Sequence, residues 1–148
     1  MSKFGQASAA KLTLAHPDLQ KIFNLAISRS PVDFAIVDTE RSIEQQRDYF
    51  KSGKSKLNPD NPEHLKKAKH LQRPAMAVDI VIWIPAKVGL AYDHNHLCLV
   101  AGVITSCARE LRSTGQITHD MVWGGNWDGD GEIITDQTFN DLPHFELI

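Results

Sequence analysis

The feature that most constrains this chain is one aspartate inside its most apolar stretch. In Ala75-Met76-Ala77-Val78-Asp79-Ile80-Val81-Ile82-Trp83-Ile84 every residue but Asp79 is apolar. The Val and Ile content predicts a β-strand over 76–84. On a strand, Met76, Val78, Ile80, Ile82 and Ile84 share one face, and Asp79 shares the other with Ala77, Val81 and Trp83. A carboxylate in such surroundings is costly unless it is paired, hydrogen-bonded or bound to a metal. The fold must therefore deliver partners to Asp79, as a buried ion pair or as a metal site.

The flanking sequence supplies helices and short strands without regular βαβ alternation. Leu19, Ile22, Phe23, Ala26 and Ile27 fall at one-face helical spacing, with Pro17 and Asp18 suited to the start, so a helix is expected from about Asp18 to Arg29. Phe34-Ala35-Ile36-Val37 reads as a strand, and Ser42-Ile43-Glu44-Gln45 is a capping-box pattern opening a helix over Ile43 to Lys51. Lys54 to Lys69 is polar, carries Asn58-Pro59 and Asn61-Pro62, and reads as a long loop of the kind that is usually functional or mobile. Leu97 to Arg112 reads as a buried helix entered through Asp93 or Asn95. Val122-Trp123 and His144 to Ile148 complete the strands, with a Gly- and Asp-dense loop between them. The expected class is α+β, a small antiparallel sheet with flanking helices, in a single domain over residues 1–148.

Composition narrows the function classes. Sixteen basic residues against eighteen acidic ones give a net charge of −2, so no basic balance points to nucleic acid or an anionic membrane. Cys98 and Cys107 form neither a disulfide framework nor a zinc pair. The first residues lack a signal-peptide core, and no apolar run is long enough to span a bilayer. The protein is expected to be made in a cytoplasm without membrane insertion and to be monomeric.

Two histidines stand where they could meet Asp79. His70 ends the polar loop upstream of the strand, and His144 lies in Asp141-Leu142-Pro143-His144-Phe145-Glu146-Leu147-Ile148, where Pro143 favours extended backbone and His144, Glu146 and Ile148 share a face. Read singly, His70 is a surface histidine and the C-terminus an amphipathic edge strand. Together, His70, Asp79 and His144 are three N/O ligands, which with an open position is the arrangement of a catalytic zinc. Such a site needs a carboxylate as general base, and Asp141, just ahead of His144, is placed for it. Glu146 is the other carboxylate on that strand, a support for the ligands or a substitute base.

At these residues the chain resembles the zinc D-Ala-D-Ala carboxypeptidases and L-alanyl-D-glutamate peptidases that cut peptidoglycan stem peptides, and within them the phage endolysin branch. The family pattern S-x-H-x-x-G-x-A-x-D is matched by Ala68-Lys69-His70 and Ala75-Met76-Ala77-Val78-Asp79, and E/D-x-x-H by Asp141-Leu142-Pro143-His144. An upstream G-x-R-S/T-x-x-x-Q element is matched by Thr39-Glu40-Arg41-Ser42-Ile43-Glu44-Gln45-Gln46. The resemblance implies that His70, Asp79 and His144 hold zinc, that Asp141 is the base, and that Arg41 neutralises the oxyanion or holds a substrate carboxylate. A surface charge at a helix start is the plainer reading of Arg41. The spacing from His70 to Asp79 is longer than the family's, so Gln72 to Pro74 is expected to bulge. Ala68 and Ala75 replace the usual Ser and Gly.

The resemblance further implies a peptidase acting on bacterial peptidoglycan in host lysis, held in the host cytoplasm until release to the cell wall. Aspartate rather than glutamate as base favours the endopeptidase branch. A D-alanyl-D-alanine carboxypeptidase or dipeptidase on the same site, and a non-catalytic wall- or metal-binding module, remain open at this point. A second metal site is expected at Asn126-Trp127-Asp128-Gly129-Asp130-Gly131-Glu132-Ile133, which follows the first part of an EF-hand loop. Asn126 opens it, and Gln137 stands where a bidentate Glu belongs, with Asp136 beside it as the substitute. A similar loop binds calcium in some phage members of the family, and a solvated Asp/Gly turn is the alternative.

Overall fold

Among the described residues, helices α2 to α5 each begin where a side chain accepts from a free N–H group, while α1 starts at Gly5 without such a cap. The computed structural model describes residues 2–148; Met1 lies outside the described residues. Helix α1 spans Gln6–Leu12 and α2 spans Pro17–Arg29, with His16 accepting from the Asp18 N–H at the start of α2. Strand β1 is Phe34–Asp38, and α3, Ile43–Lys51, opens with the complete Ser42–Gln45 capping box. A short α4, Pro62–Lys67, follows within the segment expected to be loop, capped by Asn61. A 3₁₀ turn at Lys69–Leu71 leads to β2, Ala77–Ile82. The long α5, His94–Ser113, is capped by Asp93, and β3, Met121–Gly124, and β4, Asp141–Leu147, end the chain.

The four strands form one antiparallel sheet in the order β1-β2-β4-β3. One face carries Phe34, Ile36, Val78, Ile80, Phe145 and Leu147 into a core completed by α2 and α5, through Leu19, Ile22, Phe23, Leu97 and Ile104. This is the alternation expected of β2, with α2 and α5 burying their apolar stripes on it. The opposite face of the two central strands is left for polar groups. The expected α+β class with a small antiparallel sheet is the one observed.

Register makes the site. Strand β4 starts earlier than the sequence suggested, at Asp141, and runs through Pro143. It pairs with β2 so that His144 lies directly opposite Asp79. On the other side, a register shift in β1 between Ile36 and Asp38 sets Asp38 opposite Asp79. Cross-strand partners lie within contact range, so the sheet alone joins Asp38, Asp79 and His144 in one row. The extra residues between His70 and Asp79 form a turn closed by the Met76 N–H donating to the Lys69 carbonyl at 3.0 Å, where the bulge was expected.

Candidate metal centre

His70 is brought to this row by its turn and then fixed by backbone. The Arg41 N–H donates to the His70 carbonyl at 2.9 Å, and Arg73 binds the carbonyls of His70, at 3.1 Å, and Arg41, at 2.9 Å. The ring is buried, and its Nδ1 lies 2.7 Å from the Thr39 carbonyl oxygen, which makes Nδ1 the protonated nitrogen. That leaves Nε2 as a lone pair facing Asp79 Oδ2 at 3.2 Å. Among the described residues this nitrogen is one of two buried side-chain polar atoms without a hydrogen-bond partner. A buried, unpartnered acceptor is expensive.

His144 sits between carboxylates. Its Nδ1 is 2.9 Å from Asp79 Oδ1 and its Nε2 is 2.9 Å from Glu146 Oε1. Burial works to lower its pKa, but the hydrogen bonds to Asp79 and Glu146 prevail and push it up to about 10. Burial likewise disfavours the Asp79 charge, yet the facing His70 and the hydrogen bond from His144 hold its carboxyl well below the usual carboxylate range.

One ligand atom from each of His70, Asp79 and His144 lies within 4.8 Å of the others. Each ring turns one nitrogen toward Asp79 and the other onto an oxygen acceptor, the Thr39 carbonyl or Glu146. This is how metal-binding histidines are oriented by their outer partners. The orphaned Nε2 of His70 and the two-nitrogen, one-carboxylate donor set fit a divalent transition metal with an open position.

Arg41 is buried at the back of the row. Nε and Nη2 donate to Asp38 at 3.0 and 2.8 Å, Nη1 donates to Gln46 at 2.7 Å, and Nη2 also donates to Asp79 at 3.2 Å. Its guanidinium lies 4.6 Å from the Tyr49 ring centre. Two aspartates opposite one another on adjacent strands repel, and Arg41 bridges them. All but one of its N–H donors are committed, a single Nη1 hydrogen remaining. The structure thus corrects the reading of Arg41 as a surface charge, and it ties most of the group to the protein rather than to a substrate.

Asp141 lines the same cavity, about 820 Å³ in volume, with Tyr49, Trp127 and Phe139 on its walls. Burial pushes its carboxyl above the usual range, with His144 pulling it down and Asp79 pushing it up. Its backbone packs against Gly124 so closely that a Cβ there would run into the Asp141 carbonyl oxygen.

The acidic loop also assembles in part. Asp128, Asp130 and Asp136 carboxylates lie within 4.8 Å of one another, all exposed, and Gly129 and Gly131 have positive φ. Asn126 Oδ1 is the other buried atom without a partner. Gln137 is committed elsewhere, accepting from the Trp127 N–H and donating to the Gly124 and Phe139 carbonyls and Asn140, so Asp136 and not Gln137 joins the cluster. The Glu132 carboxylate accepts from Thr135 at 2.7 Å and stands apart from the three aspartates.

Sequence reasoning missed Asp38, the Thr39 carbonyl, Gln46 and Arg73 as supports of the site. Gln46 lies within the quoted Arg41 element and was legible there as a polar helix residue; the others depend on tertiary contacts. The family model for the phage L-alanyl-D-glutamate peptidases matches residues 1–148. The chain belongs to that family. It is 33% identical to the L-alanyl-D-glutamate peptidase of Escherichia phage T5, over 99% of this chain and 98% of that protein. The crystal structure of the Serratia marcescens L-Ala D-Glu endopeptidase ChiX superposes with a TM-score of 0.71 at 27% identity, covering 99% of this chain and 90% of that one. Among the described residues, no helix of this family member is long and apolar enough to cross a membrane.

Proposed function

We propose that the protein is a zinc-dependent L-alanyl-D-glutamate endopeptidase that cuts peptidoglycan stem peptides as a phage endolysin. The carrying observation is the His70 Nε2 lone pair, buried without a partner and facing Asp79 and His144 in a chain of this family. His70 Nε2, Asp79 and His144 Nδ1 are the atoms offered to the metal, with the Thr39 carbonyl and Glu146 holding the rings. A zinc held there supplies Lewis-acid polarisation of the scissile carbonyl and activation of the attacking water.

The protein's own groups do the rest. Asp141 takes the proton of the attacking water and returns it to the leaving amine; its raised pKa suits both halves of that task. Arg41 holds Asp79 in place, and its remaining Nη1 hydrogen is the one donor it can give to a developing oxyanion. Trp127 and Tyr49 wall the cleft. The loop of Asn126, Asp128, Asp130 and Asp136 is a weak calcium site beside the cleft, with Glu132 outside the cluster, supported by the three clustered carboxylates and the unpartnered Asn126 oxygen.

The test is mass spectrometry of purified peptidoglycan digested with and without a chelator. New amino-terminal D-glutamate paired with carboxy-terminal L-alanine, lost on chelation and restored by zinc, is the expected result. Release of free D-alanine alone would indicate a carboxypeptidase, and binding without any cleavage would indicate a wall-binding module.

A further inference from the structure

The substrate of the proposed reaction is an anion. A D-glutamate within a peptide uses one carboxyl to continue the chain and leaves the other free, on the residue whose amine departs. Arg41 is a buried cation at the metal centre, but all of its donors save one Nη1 hydrogen are committed to Asp38, Gln46 and Asp79. The remaining basic residues on the cavity wall are Lys54, Lys56, Lys66, Lys67 and Lys69. Lys66 is paired with Glu63 at 3.4 Å. Of the four acidic residues on that wall, Asp38, Asp79 and Glu146 are each engaged inside the metal centre, and Asp141 is the proposed base.

Two of these lysines are seated rather than free. The Lys54 ammonium lies 5.4 Å from the centre of the Tyr49 ring, the ring that also holds Arg41. The Lys56 ammonium lies 4.7 Å from the centre of the Phe139 ring, which stacks on Trp127, and Trp127 lies 5.7 Å from the His144 ring. Such cation–π contacts aim an exposed ammonium without neutralising it. Their loop is keyed to the metal centre by buried Gln46, which accepts from Arg41 and donates to Ser55 Oγ at 2.9 Å and the Leu57 carbonyl at 2.8 Å. One amide thus fixes the lysine loop relative to Asp79.

Resting on the proposed peptidase reading, we infer that Lys54 and Lys56 form the subsite that recognises the free carboxylate of the D-glutamate residue. The two ammonium groups supply charge-assisted hydrogen bonds that set substrate preference and take no part in bond cleavage.

The experiment uses zinc-loaded protein and two synthetic stem peptides that differ only in whether that carboxyl is free or converted to a carboxamide. Lys54→Met and Lys56→Met keep the apolar stem and remove the charge. Each is expected to lower kcat/KM on the carboxylate peptide about tenfold, chiefly through KM, with the carboxamide peptide changed by less than about twofold. Lys56→Arg should restore the preference, and Lys87→Met, outside the cavity, should change neither substrate. Unchanged zinc content and melting temperature check that the variants are folded. Equal losses on both peptides, or a wild type indifferent to the carboxylate, would overturn the inference while leaving the peptidase reading intact. Failure of wild type to cut either peptide between alanine and glutamate would overturn both.

Discussion

Among the described residues the protein holds two His–Asp–His clusters, and they differ in what their atoms lack. In one, His70, Asp79 and His144 meet on the polar face of the central strands. In the other, His16, Asp18 and His119 meet at the start of α2, again with one ligand atom each within 4.8 Å. By composition they are the same. In the second, Asp18 Oδ2 accepts from the Thr118 N–H at 3.0 Å, the His119 N–H at 3.2 Å and His119 Nδ1 at 2.8 Å, while His16 Nδ1 accepts from the Asp18 N–H. Its nitrogens serve as cap and clasp, so it ties the chain before β3 to helix α2. In the first, Nε2 of His70 faces the other two residues with nothing to bind. An unpartnered nitrogen, more than residue type, separates the candidate metal centre from the structural clasp.

The largest expected effect falls on the first cluster. His70→Ala, Asp79→Ala and His144→Ala should each abolish peptidoglycan cleavage, because three ligands leave none in reserve. A digest showing wild-type turnover in any one of them removes that residue from the site. Next, Asp141→Asn should retain zinc and lower turnover by roughly 10²–10⁴-fold. Since burial raises the Asp141 pKa and the base works as the anion, wild-type activity should fall as pH drops through a value above the usual carboxylate range. A pH profile whose acid limb is unmoved in a residually active Asp141→Asn assigns that limb to another group.

The second cluster should respond in stability and not in chemistry. Burial raises the cost of the Asp18 charge, but the hydrogen bond to His119 and the backbone N–H groups hold its carboxyl below the usual range. Its contribution is therefore complete above the ordinary carboxylate pKa and is lost as pH falls through the lowered one. Asp18→Asn should cost about 2 kcal/mol at neutral pH, with the melting temperatures of mutant and wild type converging in strong acid. The smallest effect is expected at the acidic loop. Asp128→Ala or Asp130→Ala should abolish calcium binding of wild-type affinity on the order of 10⁻⁴–10⁻³ M, read by calorimetry.

Much of this was legible in the sequence because it rests on local rules. The expected helices over Asp18–Arg29 and Ile43–Lys51 appear as Pro17–Arg29 and Ile43–Lys51, set by apolar spacing and the Ser42 capping box. The lone Asp79 in an apolar strand pointed to the centre of the site, and the two histidines expected to join it do so. What was not legible depends on register and on distant contacts. Helix α4 lies hidden in polar sequence with no buried residue to give it a periodic signal. The pairing of Asp38 with Asp79 follows from a shift in β1, and that pairing is what commits Arg41 to the protein interior. His16 and His119 belong to no sequence motif and become partners only because Asp18 accepts from a segment far along the chain.

Zinc stoichiometry by elemental analysis of the wild type, His70→Ala and His119→Ala, each checked for folding by thermal unfolding, separates the two clusters most directly. Stoichiometric zinc in the wild type and in His119→Ala, with none in folded His70→Ala, is the expected result. Zinc retained by His70→Ala, or lost from a folded His119→Ala, would contradict the assignment of the metal to His70, Asp79 and His144.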